Sequence, residues 1–248
     1  MMDKIIRITI GLFLAVLIVF VASVGYTIFV DNAYRTSLNS TYSYSCSITT
    51  DSVLSNVTFF IPVPANPQGN SPVERRISAK DITGLPGDWE TTLYDTGKAT
   101  LVKITASKIS PPGWNGTATP YTIRFSANVR SPKVIDTRTP LTDGAVFRPV
   151  QGVKDVACPQ DTGAGTGSPR CIEYLTSIYA SYSADPNASL SISSRIIGRN
   201  EWKIFEPHYS EYRNTIDVLM FGDNHGWTTT KGWLESGIGF NDAPIIKS

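Results

Sequence analysis

Two histidines are the residues in this chain best suited to bind a metal. His208 and His225 lie near three carboxylates, those of Glu206, Asp217 and Asp223. Two imidazoles and a carboxylate form a ligand set that zinc accepts. The spacing, however, matches neither an HExxH helix nor a clustered Cys/His motif. The sequence GDNHG around His225 is typical of a tight hairpin turn, so we predict no metal site.

Three cysteines are the next candidates for chemistry. Cys158 and Cys171 bracket a Gly/Ser/Pro-rich segment whose flexibility would let its ends meet. In an oxidising exterior they are predicted to form a disulfide, with two free thiols as the alternative. Cys46 lies in TYSYSCSITT, where Tyr, Cys and Ile alternate with Ser. That alternation places the Cys46 sulfur on an apolar face and predicts a buried, inert thiol rather than a nucleophile beside a histidine.

The sequence carries no recognisable catalytic motif. It has no GxSxG, no SxxK, no phosphate-binding P-loop and no GxGxxG after a strand. The run GAGTG at Gly163–Gly167 lies inside the predicted disulfide loop and is not followed by a helical pattern. We therefore predict no catalytic residues, no cofactor and no enzymatic activity.

Four Asn-x-Ser/Thr sequons are candidate glycosylation sites. They begin at Asn39, Asn56, Asn115 and Asn187. Their number barely exceeds what the Ser and Thr content gives by chance, so position is the stronger argument. Asn56 falls on the polar side of a predicted strand, and Asn115 and Asn187 lie in turn sequences.

The five tryptophans allow a carbohydrate-binding interpretation, because sugar rings stack on exposed aromatic faces. They are Trp89, Trp114, Trp202, Trp227 and Trp233. Large aromatic side chains more commonly fill β-sheet cores. Trp114, in PPGWNGT, is the one we expect to be exposed and available for glycan stacking.

An uncharged N-terminal run sets the location of these residues. Ile8–Val30 spans 23 residues, about 34 Å as a helix, which is enough to cross a hydrocarbon core of about 30 Å. The run is too long for a cleavable signal peptide, although Ala22-Ser23 offers a weak cleavage point. Lys4 and Arg7 precede the span, which favours a cytoplasmic N-terminus. We assign residues 1–31 to the cytoplasmic N-terminus and anchor and 32–248 to an extracellular domain in the cell membrane.

Composition and patterning predict an all-β extracellular domain. With 22 basic and 21 acidic residues, the chain lacks the charge expected of a nucleic-acid-binding protein. Alternating segments separated by Gly/Pro turns predict an antiparallel β-sandwich or jelly-roll, as one unit or two. Residues 143–170 have no clear period and are predicted to be a loop excursion or a boundary. The predicted strands are Asn56–Val63, Leu101–Ala106, Tyr121–Val129, Ile172–Ser183, Ser189–Ile197, Glu201–Phe205, Thr215–Phe221 and Trp227–Leu234.

Several blocks resemble uncharacterised archaeal membrane-anchored cell-surface proteins. They are NVTFFIPVPANPQGNSPV, LYDTGKATLVKITA, VIDTRTPLT, IIGRNEWKIFEPHYSEYRNTIDVLMFGDNHGW and WLESGIG. The resemblance implies a surface location and a β-rich fold, and it implies no activity. We therefore expect a single-pass surface protein with a structural or interaction role in the envelope, whose partners are other envelope proteins or glycans. A tethered glycan- or ligand-binding module is the alternative, and an anchored hydrolase is the third.

Overall fold

The computed structural model describes residues 2–97, 99–159 and 169–239. The chain divides into two compact units. The first contains the N-terminal residues through Leu38 together with Glu201–His208. The second is a β-rich body formed by Asn39–Asn200 and the chain from Tyr209 onward.

Helix α1 spans Met2–Ser37 and contains the predicted anchor. Every side chain from Lys4 to Phe29 is exposed, as suits a helix whose solvent is hydrocarbon rather than water. The helix is long and apolar enough to span a membrane. It continues past the boundary predicted at residue 31, because Asp31 and Arg35 form an ion pair of 3.0 Å one turn apart.

Strands make up most of the second unit. The short helices are α2 (Glu74–Ser78) and α3 (Pro140–Asp143). The strands are β1 (Asn39–Thr50), β2 (Leu54–Pro62), β3 (Pro64–Ala65), β4 (Glu90–Asp95), β5 (Thr100–Ile109), β6 (Tyr121–Arg130), β7 (Val146–Phe147), β8 (Gln151–Val156), β9 (Arg170–Ser183), β10 (Ser189–Ile204), β11 (Glu206–Phe221) and β12 (Asn224–Gly239).

Ten strands form one curled sheet, which confirms the predicted antiparallel all-β class. Its order is β4-β5-β2-β9-β12-β11-β10-β1-β6, and β8 pairs with β9 beside this path. Strands β3 and β7 form a separate two-stranded sheet. The segment at 143–170 is therefore more structured than the predicted loop excursion, since it contributes both β7 and β8. Its shortness of period reflects strands of two and six residues, too short to display an alternation.

The core lies on the inner face of the curled sheet. In β1 the side chains of Tyr44, Cys46 and Ile48 are each 1% exposed, while the serines between them are more accessible. The inward direction predicted for Cys46 is thus correct. The same period of two runs through the 16-residue strands β10, β11 and β12, so that one face packs and the other faces outward.

A crossing segment, Ser131–Val150, is held to the sheet by two buried asparagines. The backbone N–H of Ile135 donates to Oδ1 of Asn200 (3.0 Å), whose Nδ2 donates back to the Ile135 carbonyl (2.8 Å). The N–H of Phe147 donates to Oδ1 of Asn214 (2.9 Å). These amides satisfy backbone groups that no strand pairs, which is what allows an irregular segment to lie against a core.

The edge of β6 is covered by the chain that follows α2. Thr83 and Ser126 exchange backbone hydrogen bonds of 3.0 and 2.9 Å. Gly84 has φ +88°, and a Cβ there would lie 2.3 Å from the carbonyl oxygen of Arg124. Since this segment continues into β4, the opposite edge strand, it links the two ends of the strand order and reduces the exposed edge.

The predicted hairpin at GDNHG is present between β11 and β12. Asp217 of β11 pairs with Lys231 of β12, and Gly222 adopts φ +64° in the turn. The side chain of Asp223 accepts the backbone N–H of Ala184 at 2.5 Å. The turn residues therefore fix the end of the strand β9 as well as the hairpin itself.

Candidate binding surface

Four aromatic side chains cross the outer face of the sheet. Tyr94 of β4, Phe60 of β2, Tyr179 of β9 and Trp227 of β12 form what we call the aromatic row. In the strand register Phe60 pairs with Tyr179, and Tyr179 pairs with Trp227. Their chain neighbours point into the core, so the period of two places all four rings outside.

The rings of the aromatic row pack edge to face. Ring centroids are 5.7 Å apart for Tyr94 and Phe60, 5.4 Å for Phe60 and Tyr179, and 5.5 Å for Tyr179 and Trp227. The interplanar angles are 73°, 79° and 66°. Each such contact contributes about 0.5–1.5 kcal/mol beyond the buried area. The amine of Lys103 lies 5.9 Å from the Phe60 centroid, so the middle of the row also carries a cation–π contact.

The two ends of the aromatic row are the exposed parts. Trp227 is 59% exposed and Tyr94 is 54% exposed, whereas Phe60 and Tyr179 are half-buried between them. On the neighbouring β11, Leu219 and Phe221 also face outward and are exposed. The half-buried rings hold the terminal rings in place, so the surface is apolar and at the same time ordered. A contiguous apolar patch of this kind is typical of a contact site.

The only hydroxyl–imidazole pair among the described residues that lies next to the aromatic row joins Ser181 and His225. Ser181 Oγ is 3.1 Å from His225 Nδ1, and the two residues pair across β9 and β12. In the described chain no acidic side chain bonds to His225. The arrangement therefore lacks the group that orients an imidazole in a catalytic triad.

His208 and His225 have different surroundings. His208 belongs to the first unit, where its ring stacks on Trp202 at 6.0 Å, and His225 bonds to Ser181 in the second. Across residues 2–97, 99–159 and 169–239 no group of three or more His, Cys, Asp or Glu side chains could hold a metal ion.

The cysteines are arranged as their sequence pattern indicates. Cys158 and Cys171 are disulfide-bonded, with Cα atoms 5.2 Å apart, because the pairing of Val156 with Cys171 brings β8 and β9 together. The intervening Gly163–Gly167 run lies outside the described residues. Cys46 is free and buried, and burial raises the pKa of its thiol to about 12. A thiol that stays protonated is a poor nucleophile.

Trp114 is half-buried rather than freely exposed. It lines a polar depression of about 530 Å³ with Asp51, Asp185 and Asn187 among its neighbours. The site predicted for glycan stacking is therefore present as a wall, while Trp227 offers much more ring surface. The sequence placed Trp114 in a turn and Trp227 in a strand, and exposure was inferred from that difference alone.

The four sequon asparagines differ in accessibility. Asn56, Asn115 and Asn187 are exposed, and Asn39, the first residue of β1, is half-buried. Asn56 has φ +54° and lies where the pairing of β2 and β9 shifts register. Asn115 accepts the N–H of Thr117 at 3.1 Å, forming an Asx turn.

Sequence reasoning missed the aromatic row because its four members lie far apart in the chain. Each is an aromatic residue on the outer side of an alternating strand, and that is a usable signal once the strand order is known. No protein-family model, curated protein or solved structure matches this chain. The function of the surface is accordingly argued from its own geometry.

Proposed function

We propose that this protein is a membrane-anchored cell-surface protein with an interaction role in the envelope. The helix α1 would cross the membrane with the N-terminus in the cytoplasm, and the β-rich body would lie outside, as in the archaeal surface proteins that the sequence resembles. The observation that carries the proposal is the aromatic row. Its chemistry is that of a contact surface and includes no catalytic or cofactor role.

Exposed Trp and Tyr rings are costly to leave in water and are enriched in the centres of protein contacts. Trp227 and Tyr94 keep more than half of their surface accessible, although the sheet interior offers room for aromatic residues elsewhere. The edge-to-face packing that fixes these rings lowers the entropy lost when a partner binds. We therefore favour another envelope protein as the partner.

A tethered glycan- or ligand-binding module is the second candidate. The exposed terminal rings could each stack on a sugar, and the hydroxyl of Ser181 lies in the same part of the outer face, paired with His225. An anchored hydrolase is the third candidate and rests on that Ser181–His225 pair alone. Neither alternative uses the whole aromatic row.

Binding to isolated envelopes tests the proposal. The full chain in phosphatidylcholine vesicles is compared with the double variant Tyr94→Ser/Trp227→Ser, and with the control Val134→Ser/Val153→Ser, whose side chains are 55% and 49% exposed outside the row. We expect the row variant to lose most envelope binding and the control to retain it. Equal binding by both variants would remove the row from the interaction.

The same assay separates the two kinds of partner. Protease treatment of the envelopes should abolish binding if the partner is a protein. Binding that survives protease but is lost after periodate oxidation of the envelope glycans would favour the glycan-binding module instead.

A further inference from the structure

The first unit contains a β-hairpin tip that lies against the outer end of α1. The tip is Glu201–His208, which we call the juxtamembrane tip, and it connects β10 to β11 through the single residue Phe205. The ring of Phe205 lies 5.6 Å from the ring of Phe29. Phe29 is the last residue but one of the uncharged run that ends at Val30, so Phe205 shares its level on the helix.

Phe205 is held in an exposed and strained conformation. It is 71% exposed, and its φ of +62° lies in the left-handed region, which is unfavourable for a bulky side chain. Glycine would suit this position better on conformational grounds. A large apolar residue that is both strained and exposed in water has no folding role that accounts for it, and strain of this kind points to a function.

The contacts above Phe205 fix the juxtamembrane tip to the helix. Tyr34 is 7% exposed and packs edge-on against Trp202, which is 5% exposed, with ring centroids 5.7 Å apart. Ser37 Oγ accepts the backbone N–H of Lys203 at 2.9 Å. Because both contacts lie on the Ser37 side of Phe29, Phe205 is the part of the hairpin nearest to the apolar run.

We infer that the juxtamembrane tip is a second membrane contact, with the Phe205 side chain inserted at the lipid interface beside Phe29. The inference rests on the proposed membrane span. Asp31 ends the uncharged run, and Phe29 lies about 3 Å below it at 1.5 Å per residue. The charges of Lys203 and Glu206 flank Phe205 and would remain among the headgroups. An aromatic ring between apolar and charged neighbours is what the membrane interface favours.

Depth-dependent quenching tests this inference in the full chain. Cys46 is buried and Cys158 is bonded to Cys171, so a thiol introduced at Phe205→Cys alone takes an environment-sensitive fluorophore. The matched control is Phe221→Cys, at the other end of β11 and 65% exposed. In phosphatidylcholine vesicles carrying lipids spin-labelled near the headgroup, we expect several-fold stronger quenching at position 205 than at 221, and the reverse order with aqueous iodide.

A third label, at Phe29→Cys, separates failure of the anchor from failure of this inference. Quenching by lipid at position 29 but not at 205 would overturn the second membrane contact and leave the anchor intact. No lipid quenching at position 29 would overturn both. All three positions are exposed, so labelling leaves the packing of the chain unchanged.

Discussion

The thiol of Cys46 combines a reactive group with an unreactive environment. It is 1% exposed on the inner face of β1, and burial raises the pKa of the thiol to about 12. We expect no alkylation of native Cys46 by iodoacetamide at pH 8.5 and complete alkylation in denaturant, measured by mass spectrometry. Rapid modification of the folded protein would contradict the buried assignment.

The same raised pKa gives a direction for the pH dependence of stability. An unfolded cysteine loses its proton near pH 8.5, whereas the folded thiol keeps it to about pH 12. The contribution of Cys46 to the free energy of unfolding is therefore complete below about pH 8.5 and is lost as the pH rises toward 12. The Cys46→Ala variant should lose part of this alkaline decline.

Glycine at position 232 is required by the ring that covers it. Gly232 of β12 pairs with Tyr174 of β9, and a Cβ on Gly232 would lie 2.2 Å from Tyr174 Cζ. Gly232→Ala should lower the free energy of unfolding by about 1–3 kcal/mol through overpacking. Gly226→Ala, in the same strand with nothing within 4 Å, is the matched control and should be neutral or slightly stabilising in urea unfolding. Equal effects of the two changes would show that the Tyr174 ring moves freely.

At the scale of elements, the crossing segment depends on hydrogen bonds that no alternation in the sequence reveals. Asn214 is fully buried, accepts from the Phe147 N–H and the Tyr174 hydroxyl, and donates to the Trp233 carbonyl. Asn214→Leu leaves all three partners unsatisfied, so we expect a loss of about 3 kcal/mol or more in the free energy of unfolding. Asn128→Leu on the exposed side of β6 is the control and should change it by less than about 0.5 kcal/mol.

The alternation of apolar and polar residues was sufficient to locate the strands but not their continuity. Ser189–Ile197 and Glu201–Phe205 were predicted as separate strands, with Gly198 as an interruption. In the structure β10 runs through to Ile204 because the Tyr212 ring fills the space beside Gly198, where a Cβ would lie 2.2 Å from Tyr212 Cε1. A tertiary contact thus keeps a strand intact across a residue that local propensity disfavours.

The aromatic row shows the same limit at the candidate site. Phe60 and Trp227 are 167 positions apart in sequence, yet both lie beside Tyr179 because β2 and β12 flank β9. Their outward direction follows from alternation, whereas their proximity depends on strand order and register. Trp114 was chosen over Trp227 because a turn sequence suggests exposure, and a half-buried outer-face strand gives no comparable local signal.

At the scale of the whole molecule, the features outside the helix are consistent with an oxidising exterior. The Cys158–Cys171 disulfide is of the kind that persists outside the cytosol, and three of the four sequon asparagines are exposed. Glycosylation of Asn56, Asn115 or Asn187 requires the β-rich body to be on the outer side. Both features therefore depend on the orientation that Lys4 and Arg7 favour.

Lysine labelling of intact cells checks that orientation directly. Lys4 lies at the start of α1, whereas Lys154, Lys203 and Lys231 are exposed after it. A membrane-impermeant amine reagent should modify the last three lysines on intact cells and reach Lys4 only after permeabilisation, as mass spectrometry of the isolated protein would record. Labelling of Lys4 alone on intact cells would reverse the topology. A protein whose sequence begins after Ala22 would instead establish a cleaved signal peptide, and the β-rich body would then have no helical anchor.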